Sequence, residues 1–423
     1  MNILMMTNTY LPHVGGVARS VAAFTAAFRA GGHRVLVVAP TFAGMEEHEE
    51  GVIRLPAIQQ FNGSDFSVQL PIPGLLSGRV DRFEPAIVHA HHPYLLGAVA
   101  LRIATSRGLP LVFTHHTMYE RYTHYVPGDS PAMQRFVIRM VTGYANLCDH
   151  VVAPSASIKK VLQERGVTAP VTPIPTGIDP ARFRNGDGSA MRCRLGIAAD
   201  EPVIGHVGRL APEKNLGFLA EAVAACLKVQ KRARFLVAGV GPFREEIERV
   251  FARTGLSDRL LLLGILDGDE LAGCYQAMDL FAFASLTETQ GMVLAEAMTA
   301  GVPVVAIDAP GVREVVRDGL NGRLLPNEDL EGFTKALLAL LDMNESKRAT
   351  MCTAARRTAR CFSLDRCAER LLAVYEELIT RKAKSRLPED SPWSQAVRML
   401  EIEWELWRQR AEAAVKSVTE DLT

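Results

Sequence analysis

The chain has 423 residues, 48% of them hydrophobic, with 47 Lys and Arg balanced by 47 Asp and Glu. The balance denies it the net basic footprint of a nucleic-acid binder, and its length exceeds one ordinary core, so two domains of about 200 residues are expected. No apolar run approaches the roughly 20 residues that span a bilayer, and MNILMMTNTYLP lacks a basic leader and reads as a first strand. Seven cysteines lie scattered without metal-ligand spacing, which points to a reducing cytoplasm and no structural disulfides.

Short β-branched runs alternate with longer helical patterns, the mark of βαβ units and parallel sheets. In the first half the spacing predicts strands over 2–8, 34–40, 87–91, 110–115, 150–154 and 171–174. After the first strand comes PHVGGV at 12–17, where Gly15 and Gly16 let the backbone approach a ligand in front of a helix N-terminus. HAHHPY at 89–94 invites a metal reading, but no Cys or carboxylate joins it at metal-ligand spacing, and packing or cleft lining is expected instead. His89 and His91 should share one face of their strand, with His92 on the other. FTHHTMYERYTHYVP at 113–127 ends another strand and carries His116, Tyr119, Arg121, Tyr122 and His124; an ordered loop with no substrate contact is the alternative for the last four. A helix is expected over 131–146. The Pro- and Gly-containing PIPTGID at 173–179 closes the first set of strands and marks the hinge.

The second half repeats the scheme, with strands expected over 203–208, 234–239, 260–265, 280–284 and 302–307 and helices over 215–229 and 243–254. GRLAPEKN at 208–215 sets Arg209 and Lys214 in a strand–helix loop, a cation pair suited to a diphosphate; Asn215 could cap the helix. SLTETQGMVLAEAMTAG at 285–301 places Glu288 and Glu296 eight residues apart across a helix start. The helix opens after Gly291 and stops at Gly301 with Pro303 beyond. The N–H groups of Gln290, Gly291 and Met292 suit a phosphate, while Glu296, in an apolar helix, needs a hydrogen-bonding partner such as a ribose diol. A buried helix whose stray Glu is satisfied by a neighbouring Arg is the plain alternative.

A final helix is expected over 363–381, followed after RLPED by an amphipathic tail. Its stripe of Leu400, Trp404, Trp407, Ala411 and Ala414, with Trp393, Val397 and Val418 at its ends, predicts packing on the protein itself or on a dimer mate in preference to lipid. The domains are thus 1–180, 181–365, a helix at 366–382 returning to the first domain, and the tail at 383–423.

The Glu-x7-Glu pattern resembles the signature of retaining glycosyltransferases of the GT-B fold, in particular family 4. The string at 113–127 and TETQG are most similar to the bacterial diacylglycerol glucosyltransferases. The resemblance implies two doubly wound Rossmann-like α/β domains facing across a cleft, and hexosyl transfer from a nucleotide sugar, UDP-glucose above others, to diacylglycerol, a related lipid or another hydroxyl acceptor. It implies no cofactor and no catalytic metal. By position it assigns Gly15, Gly16, Arg209, Lys214, Gln290, Gly291, Met292 and Glu296 to the donor, Gly264, Ile265 and Leu266 to its base, and Glu288 and His116 to the sugar and its phosphate. Tyr119, Arg121, Tyr122 and His124 fall to the acceptor. A nucleotide-sugar epimerase or hydrolase of the same architecture and a silent scaffold are the competing classes. A lipid acceptor further implies a cytoplasmic protein, peripheral on the inner face of the cell membrane, with contact through 69–80 or 131–146 of the first domain; MEEHEE at 45–50 and overall neutrality oppose it.

Overall fold

The structure, a computed structural model, describes residues 1–13, 15–42, 45, 49–58, 68–69, 76–120, 130–183, 186–385, 400–406, 408–409 and 412–413. The chain divides into two compact units, Met1–Thr176 with Cys367–Thr423, and Gly177–Arg366.

The strands of the first unit are β1 (Asn2–Met6), β2 (Arg34–Pro40), β3 (Val52–Leu55), the short pair β4 (Ala57–Ile58) and β5 (Val68–Gln69), β6 (Ile87–Ala90), β7 (Leu111–Thr114), β8 (His150–Ala153) and β9 (Val171–Pro173). Seven of them form one sheet in the order β3-β2-β1-β6-β7-β8-β9, parallel throughout. Ile3 to Met6 and all of β6 and β7 are buried. Such fully buried, largely apolar runs fit strands covered by helices on both faces.

The second unit holds β10 (Val203–Val207), β11 (Arg234–Ala238), β12 (Leu260–Leu262), β13 (Leu280–Phe283), β14 (Val304–Ile307) and β15 (Gly322–Leu325). Their order, β12-β11-β10-β13-β14-β15, is that of a doubly wound nucleotide-binding sheet. Two apolar clusters fill this unit, one around Tyr275, Phe281 and Met298, the other around Val223, Phe251 and Phe333.

Strands β3 and β15 were not expected. Each is a four-residue edge strand in which an arginine, Arg54 or Arg323, interrupts the apolar pattern. The helices Pro131–Asn146, Leu216–Val229 and Arg244–Thr254 lie where periodicity put them. The helix Leu364–Ser385 passes from the second unit into the first. There Tyr375 is fully buried, packing its ring edge-on against Phe28 and bringing its hydroxyl to His89.

The tail helix is turned differently from the expected stripe. Leu400 and Trp404 are 71% and 72% exposed, while Leu406 and Ala413 are buried and Ile402 packs on the first-unit core. Polar contacts fix this rotation. Arg102 forks onto Glu403, with Nη2–Oε2 3.0 Å, and a Cβ on Gly143 would lie 2.5 Å from the Gln409 side chain. The remaining stripe positions, Trp393, Val397, Trp407, Ala411, Ala414 and Val418, are outside the described residues, as are 70–75 and 46–48 of the segments discussed for membrane contact. No helix among the described residues is long and apolar enough to cross a membrane.

Candidate functional site

In an open α/β sheet, ligands meet the carboxyl ends of the strands where the winding reverses. In the second unit that point lies between β10 and β13, which pair directly. The two loops leaving it are GRLAPEKN and SLTETQG, so the topology brings together the two motifs singled out in the sequence.

The backbone of Gly208 to Leu210 lies on the loop after β11. Gly208 donates to Ala238 O and Leu210 to Val240 O, at 3.0 and 2.9 Å. A Cβ at Gly239 would sit 1.8 Å from Gly208 O, so only glycine permits the contact. A 3-10 turn, Pro212–Lys214, then completes a loop that carries three charged groups, Arg209, Glu213 and Lys214. Arg209 pairs with Glu213, whose side chain is 8% exposed, and Lys214 Nζ reaches Glu288 Oε2 at 3.0 Å. The carbonyl of Glu213 accepts hydrogen bonds from Ser285 Oγ (3.2 Å) and Thr287 Oγ1 (3.3 Å), stitching the two loops together. Asn215 stands at the helix start with φ 54°, but its side chain makes no cap. It donates instead to Ala284 O and to Glu328.

Glu288 is the centre of this arrangement. Burial works to raise its pKa, but the charge and hydrogen bond of Lys214 and the amides of Gly291 and Gln290 outweigh burial and hold the carboxyl below its usual value. The Thr289 amide also donates to its Oε1 at 3.2 Å. Glu288 is therefore ionised at neutral pH, and it engages amides that the sequence reading reserved for a phosphate. Gly291, at φ 68°, starts the helix Met292–Thr299. One turn in, Glu296 Oε2 accepts a hydrogen bond from the Tyr275 hydroxyl at 2.7 Å, a partner the sequence did not suggest. Gly311, at φ 81°, backs the loop; its Cβ would lie 2.5 Å from Gln290 N. The buried His206 packs against both Phe281 and Phe283, the latter also beneath Lys214, and donates from Nδ1 to Ala282 O. Burial chiefly, with Lys214 adding to it against the Ala282 bond, lowers its pKa to about 4 and keeps it neutral.

Of the residues expected at the base, Gly264 accepts at its carbonyl from Gly239 N (2.7 Å). Ile265 is 63% exposed at the end of the sheet, and Leu266 packs partly on the core.

In the first unit the corresponding point lies between β1 and β6. Asn8 bridges the two loops there. Its N–H donates to His92 Nδ1, its Nδ2 to Tyr94 O, and its Oδ1 accepts from Leu96 N, each at 3.1 Å. Gly15 precedes the helix Gly16–Ala30 in extended conformation. A Cβ on Gly16 would meet nothing within 4 Å, so packing inside the chain does not demand a glycine there.

The histidines form a stack. His89 bonds Tyr375 and Thr114, its ring lies 4.2 Å from that of His91, and His91 Nδ1 meets His116 Nε2 at 2.9 Å. Burial lowers the pKa of His89, His92, His115 and His116 to about 3, and that of His91 well below 6.5. His116 is thus a neutral hydrogen-bonding group. Among the described residues no group of three His, Cys, Asp or Glu is arranged to hold a metal.

Tyr119, expected at the acceptor, is partly buried against the first-unit core and packs on Tyr94 and His115 with its hydroxyl buried. Arg121, Tyr122 and His124 are outside the described residues. A cavity of about 510 Å³ in this unit, lined by Arg107 and Lys382 among others, lies at the opposite, amino-terminal end of β6 and β7.

Sequence reasoning missed Glu213, Tyr275, His206 and Gly311. The repeated glycines of GVGP at 239–242, directly after a strand, were the one available signal for the packing beneath Arg209.

Two doubly wound units with this cation–carboxylate site define a glycosyltransferase of the GT-B class. Residues 14–182 match the description Glycosyltransferase Family 4 and residues 201–343 match Glycosyl transferases group 1. The alpha-monoglucosyldiacylglycerol synthase of Streptococcus pneumoniae is 30% identical over 363 residues, 82% of this chain and 80% of the relative. The GDP-mannose-dependent alpha-mannosyltransferase of Corynebacterium glutamicum is 26% identical over 423 residues, 97% and 96% of the two chains. Among solved structures, a sucrose-phosphate synthase from Thermosynechococcus elongatus superposes with a TM-score of 0.74 at 21% identity, covering 90% of this chain and 99% of its own. Anabaena HepE in complex with UDP-glucose gives 0.68 at 24% identity, with 89% and 100% covered. The chain belongs to glycosyltransferase family 4. It is a hexosyltransferase that uses a nucleotide-sugar donor.

Proposed function

We propose that this enzyme transfers glucose from UDP-glucose, with retention of anomeric configuration, to diacylglycerol or a closely related lipid at a membrane surface. The observation that carries the donor half is the Lys214–Glu288 pair at the point where the second sheet reverses its winding. Lys214 and Arg209 supply the positive charge that a departing diphosphate needs. The amides at the start of the helix Met292–Thr299 supply directed donors. Glu296, oriented by Tyr275, accepts from the ribose hydroxyls, and Glu288 accepts from the hydroxyls of the sugar. The stretch Gly264–Leu266 meets the base. In the first unit, Gly15, Gly16 and neutral His116 are the residues proposed to meet substrate.

No side chain is assigned as a nucleophile. The departing diphosphate takes the acceptor proton on the same face, and the protein contributes positioning and electrostatic stabilisation. No metal is assigned to the reaction, with Arg209 and Lys214 supplying the positive charge to the diphosphate. The lipid acceptor rests on similarity to two alpha-monoglucosyldiacylglycerol synthases, from Streptococcus pneumoniae and Acholeplasma laidlawii. GDP-mannose as donor is the second reading, favoured by the length over which the mannosyltransferase aligns.

The test is to incubate the protein with UDP-glucose, UDP-galactose or GDP-mannose, with and without diacylglycerol in mixed micelles, and to follow diphosphate release and new glycolipid. Lipid-dependent UDP release with an α-linked product is expected. Release that ignores lipid but responds to a soluble polyol would overturn the acceptor, and release from GDP-mannose alone would overturn the donor.

A further inference from the structure

Arg209, Lys214 and the amides of Gln290 and Gly291, proposed above for the diphosphate, are already engaged by carboxylates of the chain itself. Arg209 is paired with Glu213 and Lys214 with Glu288. The amides of Thr289, Gln290 and Gly291 donate to the Glu288 carboxylate. Two cations and two carboxylates make the cluster electrically neutral. A site that meets a polyanion through amides and cations alone would carry a net positive charge and would attract any phosphate.

We propose that Glu213 and Glu288 are internal counter-anions that set the selectivity of this site, so that a nucleoside diphosphate binds by exchanging places with both carboxylates. The inference rests on the reading of this site as the donor-diphosphate site and adds to it how that site chooses its anion. A single phosphate can displace one carboxylate. A diphosphate places two anionic groups along the line from Arg209 to Lys214 and can replace both. The displaced Glu288 is then free to turn to the sugar hydroxyls, which couples arrival of the diphosphate to assembly of the sugar contact.

The two carboxylates differ in how strongly they compete. Glu288 is held by a lysine and by amides, and both partners of its ion pair are largely buried, at 22% and 16% side-chain exposure. Arg209 is 50% exposed, so solvent and salt screen its pair with Glu213. Removing the Glu288 charge therefore has the larger effect.

The test is calorimetric titration of UDP and GDP into the wild-type chain, Glu288→Gln and Glu213→Gln at low and at physiological salt, with far-UV circular dichroism to establish folding. Glu288→Gln is expected to bind the preferred diphosphate at least fivefold more tightly while turnover from the nucleotide sugar falls. Its gain should shrink as salt is added. Glu213→Gln is expected to gain at least twofold at low salt, and it carries the test alone should Glu288→Gln fail to fold. A folded Glu288→Gln, or in its absence Glu213→Gln, that binds diphosphate equally or more weakly would overturn the proposal and leave the donor site standing. Failure of the wild-type chain to bind either diphosphate would overturn the donor-site reading itself.

Discussion

Replacing Lys214 by alanine isolates the contribution of one charge to both stability and chemistry. The substitution leaves Glu288 buried and ionised, with its amide donors in place but without its cation. Breaking a buried ion pair costs about 3–5 kcal/mol; with the amides still present and the pair 22% and 16% exposed, about 2–3 kcal/mol is expected here. The cost also depends on pH. In the wild type the folded pKa of Glu288 lies below its unfolded value of 4.5, so the pair's contribution is full above 4.5 and is lost as pH falls through the folded value. In Lys214→Ala burial persists without the cation, and protonating Glu288 relieves the penalty. The gap between variant and wild type should therefore narrow as pH falls through the carboxylate range. Thermal unfolding of wild type, Lys214→Ala, Glu288→Gln and the double variant, from pH 7 to pH 4, measures this, and other titrating groups cancel in the differences. Turnover of Lys214→Ala should fall on the order of 10²–10³-fold, as for loss of one electrostatic contact to a leaving group. If Lys214→Ala costs the same stability in the wild-type chain as in the Glu288→Gln variant, at every pH, the coupling is refuted.

Three further outcomes follow from the same geometry. Tyr275→Phe removes a hydrogen bond to a carboxylate and should cost about 1.5–3 kcal/mol of stability, read by denaturation, while raising donor KM more than it lowers kcat. The four histidines held at about 3 bind protons in the unfolded chain before they do in the folded one. The first unit's stability should thus be full above pH 6.5 and decline as pH falls from 6.5 toward 3; an unfolding temperature unchanged between pH 7 and pH 5 would contradict this. In the tail, Leu406→Ala should destabilise the first unit by about 2 kcal/mol whereas Trp404→Ala should stay within about 0.5 kcal/mol, a contrast that calorimetry resolves.

What the sequence made legible follows from what each signal depends on. The central strands and the Gly-then-Pro helix end at 301–303 are written in local composition, and they stand where composition put them. The edge strands β3 and β15 were illegible because a four-residue strand interrupted by an arginine has no period to read. Arg209, Lys214, Glu288 and Glu296 were found through motif spacing, but their partners Glu213 and Tyr275 were not. Tyr275 meets Glu296 only because the helix Gly268–Gln276 packs beside the helix Met292–Thr299, a tertiary fact with no local trace. In the tail, the face that meets the first unit, Ile402, Leu406, Gln409 and Ala413, is less conspicuous in the sequence than the stripe of Leu400 and Trp404, and its rotation is tied to Arg102, some three hundred residues away in the chain.

The insertion of Gly177–Arg366 within the first unit bears on the order in which the chain matures. Residues synthesised first form a sheet whose buried His89 and Phe28 are completed by Tyr375, near the end of translation. The second unit is contiguous and can close as soon as it has left the ribosome, since domains generally fold as units. The amino-terminal half gains these last contacts only after the second unit has been synthesised. A chain truncated before Tyr375 would carry a contiguous second unit joined to a first unit that still lacks this ring against Phe28 and His89.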